Sequence, residues 1–220
     1  NSPLAGKTIG YLGSSITYGF RTNGEAFPEY IQQLTNSKSV KQAISGGPLA
    51  NVPGIRDEIS YITQLLTGAI TPDQDLDVLV VQVSTNDAAL GIEMGELSDS
   101  YNLEDLDYST IIGAMEYIAA YAKETWNCPV AFYTNPYLSD EAVESFCKAS
   151  GTEDLDSVKV PYQQVYAEMI QNVYKVMDKW NGTVIDMWKN EPYKSADVET
   201  REFYMGDIIH PTKAGYLFWY

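Results

Sequence analysis

Short apolar runs alternate with longer stretches of helical periodicity along this chain. Five of the runs read as strands: KTIGYLG (7–13), KSVKQAI (38–44), DVLVVQVS (77–84), PVAFYTN (129–135) and TVIDMW (183–188). The valine-rich run at 77–84 is the strongest of them. Between the runs, the spacing predicts helices over 25–35, 57–68, 109–126 and 161–180. In the last of these, Tyr162, Val165, Tyr166, Met169, Ile170, Val173, Tyr174, Met177 and Trp180 recur at helical spacing. Such a stripe belongs to a core and its boundary before it belongs to a binding surface.

Strands that are apolar on both faces and separated by helices require a parallel sheet covered on each side. No internal repeat, low-complexity tract or linker-like break in composition divides the chain. The pattern therefore predicts a single doubly wound, flavodoxin-like α/β domain over residues 1–220, with a five-stranded parallel sheet and helices on both faces. Ligands of open parallel sheets bind beyond the carboxyl ends of the strands. Three strand-to-helix connections at that edge read as long loops, 88–109, 135–160 and 189–212. Loops of that length are uncommon unless they are functional or disordered.

Composition narrows the partners. Apolar residues form 45% of the chain and charged ones 20%, a globular balance. With 14 basic residues against 30 acidic ones, the formal net charge of −16 speaks against nucleic acid and against anionic membrane surfaces. No apolar run approaches the roughly 20 residues of a membrane span, and the first residues lack the pattern of a signal peptide. The chain begins with Asn, so a leader removed by processing stays open; the reading favours the cytoplasm, with secretion as the alternative. Cys128 and Cys147 are too few for a disulfide framework and read as free thiols. A structural metal is not expected from one histidine and no cysteine cluster, and no cofactor is expected.

The candidate chemistry lies at the carboxyl edge. The first predicted strand runs directly into GSSITYG (13–19), which presents the hydroxyl of Ser15 there. A serine attacks a carbonyl only when a base accepts its proton, and that base is oriented by a carboxylate. His210, in GDIIHPTKAGY (206–216), is the only histidine, and Asp207 stands three residues before it. Alone, the Asp-x-x-His segment also reads as a helix start with Asp as its cap, and a lone histidine is more often structural than chemical. Acyl transfer also needs donors aimed at the developing oxyanion. AISGGPLAN (43–51) offers the backbone N–H of Gly46, and VQVSTNDA (81–88) places Asn86 just past the third strand, where a turn residue would also serve.

Serine after the first strand, glycine after the second, asparagine after the third and Asp-x-x-His before the last helix resemble the SGNH, or GDSL-type, hydrolase superfamily. The blocks GSSITYG, SGG, STND and DIIHP stand in that family's order over nearly the whole chain. The resemblance implies an SGNH hydrolase domain over 1–220. It implies Ser15 as nucleophile, His210 as base and Asp207 as its partner, with an oxyanion hole formed by the Ser15 N–H, Gly46 and Asn86. Two positions depart from the family pattern: Ser14 stands where the family usually has Asp, and Ser84 where it usually has Gly. The Gly-x-Ser-x-Gly pentapeptide of the α/β-hydrolases is absent around Ser15.

For substrate, the loops are the handle. Residues 88–109 carry Glu93, Glu96, Asp99, Glu104, Asp105 and Asp107 with no Lys or Arg, and 135–160 are also acidic. If they border the site, anionic esters are disfavoured and neutral ones fit. Tyr18, Tyr101, Tyr137 and Tyr204 fall on or near that edge, where a tyrosine can stack on a sugar ring. The expectation is an esterase that removes a short acyl group such as acetyl from a carbohydrate or other neutral ester through an acyl-enzyme. A lipase, lysophospholipase or thioesterase of the same superfamily is the alternative, as is a non-catalytic binding module on the same fold. The sequence leaves the oligomeric state undetermined.

Overall fold

The computed structural model describes residues 2–189 and 197–220. Its strands are β1 (Thr8–Gly13), β2 (Lys38–Ala43), β3 (Val78–Gln82), β4 (Val130–Tyr133) and β5 (Thr183–Ile185). All pair in parallel in the order β2-β1-β3-β4-β5, the flavodoxin-like arrangement that the pattern predicts. Each strand is shorter than its apolar run by a residue or more. At β5 the whole loss falls after Ile185, where Asp186 Oδ1 accepts the Lys189 N–H and a 3-10 turn begins.

The two-residue alternation of side chains divides the core between the sheet's faces. Leu12, Leu79, Val81, Val130 and Phe132 face α3 (Tyr61–Thr67), α5 (Ile111–Trp126) and α8 (Tyr166–Trp180) in the larger cluster. Ile9, Tyr11 and Tyr133 face α1 (Ser15–Tyr18), α2 (Phe27–Thr35) and α10 (Lys213–Phe218), through Ile16, Phe27 and Tyr216. Both cysteines are buried and free.

Two of the predicted loops hold helices. Within 135–160 lie α6 (Asp140–Ser150) and α7 (Asp156–Lys159). Ser139 Oγ caps α6 by accepting the Ala142 N–H, and Gly151 ends it at φ +71°. Only Ala142, Val143 and Cys147 of α6 are buried, so its charged outer face masks the helical stripe. Within 189–212, α9 (Val198–Tyr204) is capped by Asp197, which accepts the Thr200 N–H; the first residues of that predicted loop, 190–196, lie outside the described residues. The helix predicted from 161 starts earlier and runs through Pro161 by a π-helical segment, Val160–Val165. A proline interrupts the regular ladder by lacking an N–H, and a π turn accommodates the break.

The third predicted loop, 88–109, is irregular apart from α4 (Asn86–Ala89) at its root and a 3-10 turn at Leu103–Asp105. Much of it does not border the catalytic edge. Lys179 Nζ donates to the carbonyls of Ser98 (2.7 Å) and Ser100 (2.6 Å) and to Glu116 Oε1 (2.5 Å). Tyr101 packs edge-on against Trp180, with centroids 5.2 Å apart. Trp180 ends α8 just before β5 begins, so this anchor lies toward the amino edge of the sheet. The acidic loop is therefore strapped along the helical layer, and Tyr101 is removed from the candidates for sugar stacking.

The strap depends on a buried charge pair, because the Glu116 and Lys179 side chains are almost wholly enclosed. Lys179→Met should destabilise the fold by about 3–5 kcal/mol through the unpaired Glu116. The double variant Glu116→Gln/Lys179→Met should recover much of that loss. Urea unfolding of the three proteins measures both effects; equal stability of the single variant and wild type would refute the assignment.

Candidate active site

β1 ends at Gly13, where a Cβ would collide with the Thr17 side chain, so only glycine lets α1 fold back so closely on its strand. Ser15 is the first residue of α1 and is buried. The residue before it, Ser14, makes no side-chain cap. The cap comes instead from Gln82, the last residue of the neighbouring β3. Its Oε1 accepts from Ser14 N (3.0 Å), Thr17 N (3.2 Å) and Thr17 Oγ1 (2.8 Å), while its Nε2 donates to Ser14 Oγ (2.9 Å). Helix N-termini leave N–H groups without intrahelical partners, and here one amide from the adjacent strand serves two of them. Gln82 thereby fixes the turn that carries Ser15. A glutamine inside the apolar run DVLVVQVS was the sequence signal for it.

Across the edge, Gly206–His210 forms a closed loop. Gly206 N–H donates to the His210 carbonyl (2.8 Å), and Met205 bridges Pro211. Inside this loop Asp207 Oδ1 accepts the backbone N–H groups of Ile209 (3.0 Å) and His210 (2.9 Å). Both carboxylate oxygens meet His210 Nδ1, at 2.9 and 2.8 Å, and His210 Nε2 lies 2.8 Å from Ser15 Oγ. The fold thus brings the three residues predicted from sequence into one hydrogen-bonded chain. Burial disfavours the Asp207 carboxylate, but the His210 ring and the two N–H donors outweigh it and hold its pKa well below the usual range. Arg21 Nε also donates to Asp207 Oδ2 (2.9 Å), and the half-exposed Phe20 ring packs 4.8 Å from the imidazole. Neither had a signal in the sequence beyond proximity to Ser15.

Gly46 sits in a turn closed by Gly47 N–H to the Ile44 carbonyl (3.1 Å) and has φ +85°, which requires glycine there. Asn86 Nδ2 donates to the Gly47 carbonyl (3.1 Å), which also accepts from Ser84 Oγ (3.2 Å); Ser84 Oγ in turn accepts the Asn86 N–H (3.0 Å). The departure at Ser84 therefore ties Asn86 to the glycine turn. Asp87, adjacent and fully buried, accepts the N–H groups of Leu49 (2.7 Å) and Ala50 (3.0 Å), and burial pushes its carboxyl up to about 6. Arg56 donates to the Gly46 carbonyl from the other side (3.0 Å).

Of the remaining tyrosines, Tyr18 is exposed on α1, Tyr137 packs edge-on against Trp188, and Tyr204 stacks on Trp219 at 4.2 Å. Among the described residues no group of three or more His, Cys, Asp or Glu side chains is placed to hold a metal ion. No helix among them is long and apolar enough to cross a membrane.

A doubly wound sheet with a serine, histidine and aspartate joined at its carboxyl edge defines a class, the carboxylic ester hydrolases of the SGNH type. The chain belongs to the GDSL-like lipase/acylhydrolase family, whose pattern matches residues 11–217. Solved structures share the fold. A protein from Lactobacillus plantarum superposes with a TM-score of 0.70 at 15% identity, over 96% of this chain and 91% of that one. A protein from Chitinophaga pinensis gives 0.65 at 16%, over 96% and 93%. A candidate GDSL-like lipase from Bacteroides ovatus gives 0.55 at 16%, over 83% and 85%. No curated protein matches the chain.

The depressed Asp207 carboxyl has a consequence for stability. Its folded pKa lies below its ordinary value of 3.8, so the unfolded chain takes up the proton first as pH falls. The stabilisation is therefore present above about pH 4 and is lost as pH drops through the folded pKa. Asp207→Asn should melt below wild type at neutral pH, and the gap should narrow as pH falls below about 4. A gap independent of pH would contradict this.

Proposed function

We propose that Ser15 is the nucleophile, His210 the general base and Asp207 the group that orients it, in a serine esterase acting on short acyl groups. The observation that carries this reading is the unbroken chain from Ser15 Oγ to His210 Nε2 (2.8 Å) and from His210 Nδ1 to Asp207 (2.8 Å). With Nδ1–H held by the carboxylate, Nε2 is free to accept the serine proton. Ser15 Oγ then attacks the acyl carbon, and the oxyanion takes hydrogen bonds from the Ser15 N–H, the Gly46 N–H and the Asn86 amide. The C–O bond to the alcohol breaks as His210 returns its proton to the leaving oxygen. Water, deprotonated by the same imidazole, releases the acid and restores Ser15.

A short acyl group such as acetyl, on a carbohydrate or another neutral alcohol, is supported by the net charge of −16 and by the narrow cleft beside the His210 turn. One feature favours a longer acyl chain. A cavity of about 360 Å³ borders Asp207, with Ala142, Phe146, Val198, Met205 and Ile208 on its walls.

Aryl esters of two to twelve carbons, tested beside acetylated sugars, separate the readings. Short chains and acetyl sugars should dominate kcat/KM; a maximum at eight or more carbons would reassign the protein as a lipase. Ser15→Ala and His210→Ala should each lower kcat by about 10⁴–10⁶. Near-wild-type turnover by either would overturn the triad. Activity should also fall on acidification, as the protonated imidazole can no longer accept the serine proton; a flat profile between about pH 5 and 8 would exclude His210 as the base. Gln82→Leu should lower kcat with a smaller change in KM, because it releases the turn that carries Ser15, and Gln82→Glu should recover part of the loss by restoring the acceptor oxygens.

A further inference from the structure

Asn135 follows the last residue of β4, at the same edge of the sheet as Ser15 and Asn86. It is 4% exposed, yet neither Oδ1 nor Nδ2 of its side chain has a hydrogen-bond partner. Exchanging the two amide atoms would cure nothing, since both are unpaired. The backbone holds the residue in place: its N–H donates to Tyr166 Oη (2.8 Å), which donates in turn to the Val83 carbonyl (3.1 Å). Pro136 after it restricts the chain further. A buried amide kept without partners is costly, and most such groups in proteins are satisfied.

Asn135 lines a narrow cavity of about 10 Å³, whose walls include Thr85, Leu138, Tyr162, Trp188 and Ile209. Room of that size takes one water-sized group. Thr85 precedes Asn86 in the chain, and Ile209 precedes His210. The cavity is therefore bordered by the residues that directly precede the proposed oxyanion donor and the proposed base. An alcohol leaving the acyl-enzyme must escape to solvent, whereas the acyl group stays on Ser15. A narrow pocket with space for one small group suits the part that stays.

We propose that Asn135 is a specificity-determining residue whose amide binds a hydroxyl on the acyl group, so that the preferred substrates are esters of small 2-hydroxy acids such as hydroxyacetyl esters. This rests on the esterase reading above and refines its acyl side. A hydroxyl is the smallest group that both donates to Oδ1 and accepts from Nδ2. An acyl group ending in methyl at that point would leave both amide atoms unpaired. Sites built to bond a substrate hydroxyl discriminate strongly against analogues that lack it.

The test compares the 4-nitrophenyl esters of hydroxyacetic and propionic acids, which differ by OH against CH₃ at nearly equal volume. Turnover by Ser15→Ala is subtracted as background. Wild type should favour the hydroxyacetate by at least about tenfold in kcat/KM. Asn135→Leu should bring the ratio to about one or below. Its melting temperature should equal or exceed that of wild type, because an unpaired buried amide has been removed. Asn135→Ser gives a second variant, and product inhibition of wild type by hydroxyacetate against propionate needs no variant at all; hydroxyacetate should bind more tightly.

Ser15-dependent turnover without a hydroxyl preference would overturn this proposal and leave the esterase standing. An unchanged ratio in Asn135→Leu, with a lower melting temperature, would make the amide a structural group and overturn it equally. Absence of Ser15-dependent turnover on any ester would remove both readings.

Discussion

The parallel pairing of β1 with β3 is the constraint on which the rest of the molecule turns. The chain winds outward from β1 to β2 on one side and from β3 to β5 on the other, so the two central strands end beside each other where the winding reverses. Helices leaving those ends diverge to opposite faces and open a crevice. Gln82 spans that junction. From the end of β3 it bonds Ser14 and Thr17, and so joins the strand that leads to Asn86 to the helix that presents Ser15. The departure from the family pattern at Ser14 belongs to the same junction, since its hydroxyl receives the Gln82 amide instead of capping its own helix.

Electrostatics at the edge has a local part that the net charge does not reveal. The most consequential carboxylate, Asp207, is embedded in its own turn, where two backbone N–H groups, the imidazole and Arg21 all converge on it. That concentration of donors favours the charged form despite burial, and it fixes the ring that meets Ser15. The acidic residues of 88–109 lie in large part elsewhere. Their loop is drawn onto the helical layer by Lys179, whose three bonds to Ser98, Ser100 and Glu116 hold it along α5 and α8.

Strands and major helices were legible in the chain because β1, β3 and β4 are buried on both faces and so are predominantly apolar. α6 and α9 were not. Each buries too little to show an apolar stripe: α6 buries only Ala142, Val143 and Cys147, and α9 buries none of its residues. The early start of the helix before α8 was hidden by Pro161, which ordinarily begins a helix and here lies within one.

At the site, the residue types were readable and their supports were not. Ser15, His210 and Asp207 stand out because a hydroxyl nucleophile needs a base and a base needs a carboxylate, and the chain holds one histidine to fill that place. The sheet follows from periodicity, the three residues stand out as candidates by their chemistry, and the class follows from the resemblance of their motifs to the SGNH hydrolases. Only the tertiary structure decided that Gln82 serves as the cap of α1, that Ser84 and Asn86 share the Gly47 carbonyl, and that Tyr101 lies with Trp180. It alone revealed that the Asn135 amide is buried without a partner. Those facts concern which side chain meets which across distant parts of the chain. Periodicity records only whether a position is buried; its partner there is set by how the helices and strands pack.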